Sequence, residues 1–106
     1  MAEIVISEFM DEAAVADLRA SFDVLYDKTL VDRPEELAAA AAGCRALIVR
    51  NRTQVRGALL EGAHLRVVGR LGVGLDNIDC KACRERGIAV IPATGANPLR
   101  FFLLPG

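Results

Sequence analysis

Five short apolar runs, rich in β-branched residues, recur along the chain: EIVIS (3–7), FDVLY (22–26), ALIVR (46–50), LRVVGR (65–70) and IAVIP (88–92). Their apolar positions are nearly continuous, the pattern of strands covered on both faces of a parallel sheet. The stretches between them have helical character. Asp11 to Ala20 opens with acidic residues, which the helix dipole favours, and places Ala14 and Leu18 on one side. Pro34 suits the first turn of a second helix, Glu35 to Ala42, which Gly43 ends. Gln54 to Glu61 predicts a short third helix closed by Gly62. Asp79 can cap a fourth that runs to Arg86 and stops at Gly87.

Strand–helix alternation with short connections predicts βαβ units. Five such units in 106 residues point to a doubly wound α/β domain with flavodoxin-like strand order 2-1-3-4-5. No internal repeat or low-complexity linker divides the chain.

Composition narrows the class. With 53% hydrophobic and 25% charged residues the chain reads as ordinary globular. Its length allows roughly two thirds of the unfolded surface to be buried without staples. A net charge of −1 with interspersed signs argues against nucleic acid and against an anionic membrane surface. The opening MAEIVISEFM carries Glu3 and Glu8 and no basic segment, unlike a secretory signal. No apolar run approaches the roughly 20 residues of a membrane span. A cytoplasmic location is expected.

Three cysteines, an odd number, argue against a disulfide framework. Cys80 and Cys83 form a Cys-x-x-Cys, but a structural zinc site needs four ligands and only Cys44 and His64 remain. On a helix, positions 80 and 83 share a face, so core packing is the better reading and no metal is expected. His64, just before a strand, reads as a surface residue.

The most distinctive stretch is GRLGVGLDN, residues 69 to 77, directly after an apolar strand. A dinucleotide fingerprint would be Gly-x-Gly-x-x-Gly, with an acidic residue about 20 positions on. Gly72 and Gly74 fit, but Asn77 takes the third glycine's place, and no Asp or Glu follows Glu85. The loop therefore calls for a different ligand.

Ligands of doubly wound sheets bind beyond the carboxyl ends of the strands, near the switch point. A flavin phosphate after strand 1 would meet Glu8, Asp11 and Glu12. A phosphorylatable receiver would need an Asp and a Lys where Arg50 and Pro92 stand. A small organic anion suits the rim better. Gly72 and Gly74 let the backbone approach a ligand, Arg50 offers a fork matched to carboxylate or phosphate, and Asn97 offers donor and acceptor.

The segments LIVRNRTQV, LRVVGRLGVGLDNIDCKACRERGIAV and PATGAN together resemble the D-isomer-specific 2-hydroxyacid dehydrogenases, especially their phosphoglycerate dehydrogenase branch. The resemblance covers residues 1 to 97. It implies a flavodoxin-like substrate-binding (lid) domain, into which the family inserts an NAD-binding Rossmann domain. It also implies substrate contacts from Arg50 with Asn51, from the backbone amides of Val73 and Gly74, and from Asn97. It implies no catalytic acid–base here, and His64 matches none.

On this reading the chain is the incomplete first part of the lid domain, with PLRFFLLPG (98–106) as an apolar tail outside the family pattern. NAD belongs to the parent enzyme and is not expected to bind the chain alone. The chain alone should be inactive and prone to self-association through Phe101 to Leu104. Arg50, Arg52 and Arg70 suggest a second anionic group, phosphate or sulfonate, on the substrate. The alternative is a stand-alone binding module that kept the fold without catalysis.

Overall fold

The computed structural model describes residues 2–72 and 74–92. Its elements alternate: β1 (Ile4–Ile6), α1 (Glu12–Arg19), β2 (Val24–Tyr26), a 3-10 turn (Leu30–Asp32), α2 (Pro34–Ala42), β3 (Ala46–Val49), α3 (Ala58–Glu61), β4 (Val67–Arg70), α4 (Cys80–Glu85) and β5 (Ala89–Pro92). All strand pairs are parallel and the sheet order is β2-β1-β3-β4-β5, the order expected. In register, Ile4 faces both Val24 and Ala46, and Val67 faces both Ala46 and Ala89.

Burial follows sheet position. Every residue of β1, β3 and β4 is buried, whereas the edge strands β2 and β5 are only partly covered. Successive side chains point to opposite faces. Val5, Leu47, Val49 and Val68 pack with Leu37, Ala41, Leu59, Leu60 and Cys83 from α2, α3 and α4. Ile4, Ile6, Ala46, Ile48 and Val67 pack on Val15 and Leu18 of α1, with Met10 beside them. Among the described residues α1 is the single helix on that second face, and Ala89 and Ile91 at its β5 side are half-buried.

The helix ends follow from local chemistry. Asp11 caps α1 by accepting the Ala14 amide at 3.3 Å, and Asp79 caps α4 by accepting the Ala82 amide at 3.0 Å. Pro34 opens α2, and Gly43 follows its last residue. The third helix is shorter than its pattern predicts. Val55 is fully buried and forms a parallel bridge to Ile78, and Gly57 has φ 59°, so helix begins only at Ala58. The 3-10 turn at Leu30–Asp32 carries no periodicity by which to foresee it.

No helix among the described residues is long and apolar enough to cross a membrane. The tail residues Phe101 to Leu104 lie outside the described residues.

Candidate functional site

The chain changes winding direction between β1 and β3, so the switch point lies where those two strands end. Three adjacent strands deliver their following segments there: Ser7-Glu8 after β1, Arg50 to Thr53 after β3, and Leu71, Gly72 and Gly74 after β4. The buried polar residues of the described chain (Ser7, Glu8, Thr53, Arg70 and Asn77) all belong to this edge. Polar side chains are buried at a cost unless hydrogen-bonded, so their concentration marks a built network.

The network grips one loop. Glu8 is 4% exposed, and its carboxylate accepts the backbone amides of Arg50 at 2.7 Å, Arg52 at 3.1 Å and Thr53 at 3.1 Å. The Thr53 hydroxyl donates to the same carboxylate at 2.8 Å and shares a 2.9 Å hydrogen bond with Ser7 Oγ. From the other side, Asn77 Nδ2 donates to the carbonyls of Arg50 and Thr53, both at 2.8 Å. Burial pushes the Glu8 carboxyl up, but the hydrogen bonds from Thr53, Arg50 and Arg52 outweigh it and hold the group below its usual range. Glu8 is therefore an anion at neutral pH, turned inward and satisfied by the loop.

Arg50 itself is exposed, and among the described residues its guanidinium makes no ion pair or side-chain hydrogen bond. Its neighbour Arg52, by contrast, pairs with Asp32 at 2.5 Å. Two shallow clefts meet at Arg50 and Asn51. One, of about 240 Å³, continues past Arg70, Leu71 and Gly72. The other, of about 270 Å³, is bounded by Glu8, Phe9, Lys28, Val31 and Arg52. A third and larger cleft, about 500 Å³ and mostly apolar, runs from Gly72 and Gly74 along Ile88 and Val90.

Arg70 is not the surface cation its position in the sequence suggests. It is 5% exposed and donates to the Leu71 carbonyl, lying against the glycine loop. A Cβ on Gly72, whose φ is 106°, would come within 3.0 Å of Arg70 Nη1; one on Gly74, at φ 85°, would stand 3.8 Å from Nη2. Gly72 is thus favoured both by backbone conformation and by the arginine beside it, and Gly74 by backbone conformation alone.

Of the expected site residues, Arg50 and Asn51 share a cleft with Gly72 and Arg70, while Gly74 lines the neighbouring one. Val73 and Asn97 lie outside the described residues. His64 is exposed and precedes β4, at the opposite end of the sheet from the rim. Cys83 is buried in the core and Cys80 packs partly against it, as helical spacing suggests. All three cysteines are free thiols, and no cluster of His, Cys, Asp or Glu able to hold a metal occurs among the described residues.

Two residues of the network were legible only as exclusions. Glu8 read as a group that would repel a phosphate, and Asn77 as a missing glycine. The described loop also does not fit a dinucleotide. Asn77 fills the third glycine's place with a buried, bonded side chain, and the chain then bridges Val55 at Ile78 instead of entering a helix directly.

An all-parallel sheet of order β2-β1-β3-β4-β5 defines a doubly wound α/β domain, with Arg50, Asn51 and the glycine-bearing loop after β4 at its switch-point edge. The chain belongs to the D-isomer specific 2-hydroxyacid dehydrogenase family, whose catalytic-domain model matches residues 4–100. It is 62% identical over 98 residues to an (S)-sulfolactate dehydrogenase of Chromohalobacter salexigens, covering 92% of this chain and 32% of that protein. It is 35% identical over 98 residues to a D-3-phosphoglycerate dehydrogenase of Archaeoglobus fulgidus, covering 92% of this chain and 18% of that one. Among solved structures, a 2-hydroxyacid dehydrogenase of Ketogulonicigenium vulgare aligns with TM-score 0.64 at 32% identity, over 83% of this chain and 28% of its own. A Pyrococcus horikoshii protein aligns with TM-score 0.75 at 26% identity, over 90% and 28%. The chain thus spans about a third or less of the length of these relatives.

Proposed function

We propose that this chain supplies the substrate-binding lid of an NAD-dependent oxidoreductase acting on the CH–OH group of a small 2-hydroxy acid with two anionic ends, such as sulfolactate or 3-phosphoglycerate. The observation that carries this reading is Arg50. Its backbone is held on both sides by Glu8 and Asn77, while its guanidinium stays unengaged at the junction of two clefts. A planar, permanently charged fork on a fixed backbone is suited to bind and orient a carboxylate or a tetrahedral anion.

The two clefts suit the two ends. The carboxylate has Arg70 and the uncovered backbone at Gly72 on one side of Arg50. A sulfonate or phosphate has Lys28 and Arg52 on the other, with Asn51 shared between them. The names of the relatives run the same way, since sulfolactate and phosphoglycerate both carry a second anion. Val73 and Asn97 complete the proposed set of contacts. No hydride or proton step is assigned to the described residues; Glu8, the carboxyl lining the rim cleft, is engaged by the Arg50, Arg52 and Thr53 amides.

The test is an NMR titration of the chain with (S)-sulfolactate, 3-phosphoglycerate and lactate. The first two should shift the Arg50, Asn51 and Gly72 signals saturably. Lactate, with one anionic end, should bind about tenfold more weakly or worse, since one charged hydrogen bond is worth about 1.5–3 kcal/mol. Absence of any response around Arg50 at millimolar ligand would refute the reading.

A further inference from the structure

We propose that Glu8 is the positioning residue of the anion site: its inward carboxylate, bonded to the Arg50, Arg52 and Thr53 amides and the Thr53 hydroxyl, fixes the loop from which the Arg50 guanidinium reaches ligand. The inference rests on the reading of Arg50 as an anion-binding residue and assigns to that site a residue that bears the same charge as the ligand.

A carboxylate beside a site for anions is at first sight out of place. Lys28, Arg50 and Arg52 line one cleft with it, and an exposed acid there would compete with ligand for those cations. The geometry removes the conflict. Glu8 Oε2 is taken up by the Arg50 amide at 2.7 Å, the Thr53 amide at 3.1 Å and the Thr53 hydroxyl at 2.8 Å. Oε1 accepts the Arg52 amide at 3.1 Å. All of these donors lie on the backbone or on Thr53, so the carboxylate makes no bond to the Arg50 guanidinium. The charge is spent on three amides of a four-residue loop, and the loop's cation is left for ligand.

The grip is also specific in polarity. Asn77 donates to the carbonyls of Arg50 and Thr53, and Glu8 accepts their amides, so the two side chains hold complementary groups of the same residues. An uncharged side chain of the same shape would fail. The amide of Gln at position 8 presents one oxygen and one NH2, so at least one loop N–H would face another donor.

The experiment compares the full wild-type chain with Glu8→Gln and Glu8→Asp by 15N NMR, using sulfate and (S)-sulfolactate as probes. In wild type the Arg50, Arg52 and Thr53 amide protons should lie downfield, the signature of bonding to a carboxylate. Glu8→Gln should move all three upfield and weaken both probes at Arg50 about tenfold at a temperature well below its melting point. Glu8→Asp, which keeps the charge on a shorter stem, should recover part of that loss. Should Glu8→Gln not fold, Thr53→Val removes one of the four bonds and should weaken both probes by a smaller factor. Unchanged probe affinity in a folded Glu8→Gln chain, or in Thr53→Val where Glu8→Gln does not fold, overturns the positioning role and leaves the anion site standing. Failure of wild type to bind either probe at Arg50 overturns the site itself, and the role of Glu8 with it.

Discussion

Asn77 Nδ2 donates to the Arg50 carbonyl at 2.8 Å across 27 residues of sequence, and the same nitrogen reaches the Thr53 carbonyl at 2.8 Å. One buried amide thus ties the loop after β4 to the loop after β3. Where a dinucleotide fold has its third glycine, this chain has the residue that fixes the Arg50–Thr53 loop.

Asn77→Gly, which completes the glycine pattern, should therefore destabilise the chain and bring no dinucleotide affinity. Leaving the buried Thr53 carbonyl without its donor costs about 1–3 kcal/mol and the part-buried Arg50 carbonyl less, since water can reach it, so a loss of about 1–4 kcal/mol is expected. Urea denaturation followed by circular dichroism measures it. A change within about 0.5 kcal/mol, the range of ordinary surface substitutions, would contradict the assigned role.

The glycine loop offers a matched pair of substitutions. Gly72→Ala places a Cβ at φ 106° and 3.0 Å from Arg70 Nη1. Backbone strain of this kind costs of order 1–3 kcal/mol, and Arg70 must shift as well. Gly62→Ala, where φ is −97° and no atom lies within 4 Å of the new Cβ, should be neutral or stabilising by up to about 1 kcal/mol. Equal effects at the two positions would show that the loop conformation is not a constraint.

The cysteines should differ in reactivity. Burial pushes the Cys44 thiol up to about 11 and also raises Cys83, so the thiolate is scarce at both and access is poor. Cys80 is half-buried and lines the apolar cleft of about 500 Å³ beside β5. Iodoacetamide at neutral pH should label Cys80 first, with one equivalent incorporated before Cys44 or Cys83 reacts. Mass spectrometry of the digested adduct reads the order, and early labelling of Cys44 would show that β3 and its cover open readily.

Stability should fall on acidification through the Glu8 carboxyl. Its folded-state value lies below the ordinary carboxylate value, so the stabilisation is fully present above the unfolded value and is lost as pH falls through the folded one. Below the usual carboxylate range wild type should therefore approach Glu8→Gln in stability, and at neutral pH it should exceed it. Parallel denaturation curves for the two chains across acid pH would show that Glu8 contributes no charge-dependent stabilisation.

Much of the fold was legible because the informative signals are local. The buried strands β1, β3 and β4 carry apolar residues at every position but Gly69 and Arg70, and Asp11, Pro34, Gly43 and Asp79 stand at helix ends. The third helix was over-extended because Val55 fits a helical pattern equally well until its bridge to Ile78 is known. Arg50, Asn51 and Gly74 could be placed at the rim from strand ends alone. Glu8 and Asn77 could not, because their partners lie 24 to 45 residues away and meet only through the β1-β3-β4 register. Arg70 read as an exposed rim cation because sequence does not reveal that its side chain is buried, although it still lines the cleft shared with Arg50.

The charge of Arg50 should matter far more to ligand than to fold. Its guanidinium is exposed and makes no bond within the described chain, whereas its backbone amide and carbonyl carry the structural work. Arg50→Ala keeps both backbone bonds, so denaturation should shift by no more than about 0.5 kcal/mol. Ligand affinity should respond differently, because the fork bonds an anion with charge assistance. Truncating such a hydrogen bond costs about 1.5–3 kcal/mol, a loss of roughly ten- to hundredfold in affinity for (S)-sulfolactate. Arg50→Lys should recover only part of it, since a compact ammonium keeps the charge and gives up the planar, bidentate geometry. In a full-length relative, the corresponding substitution should appear mainly as a higher KM. Titration calorimetry on the three chains decides the matter, and an Arg50→Ala chain that binds (S)-sulfolactate as tightly as wild type would remove Arg50 from the site.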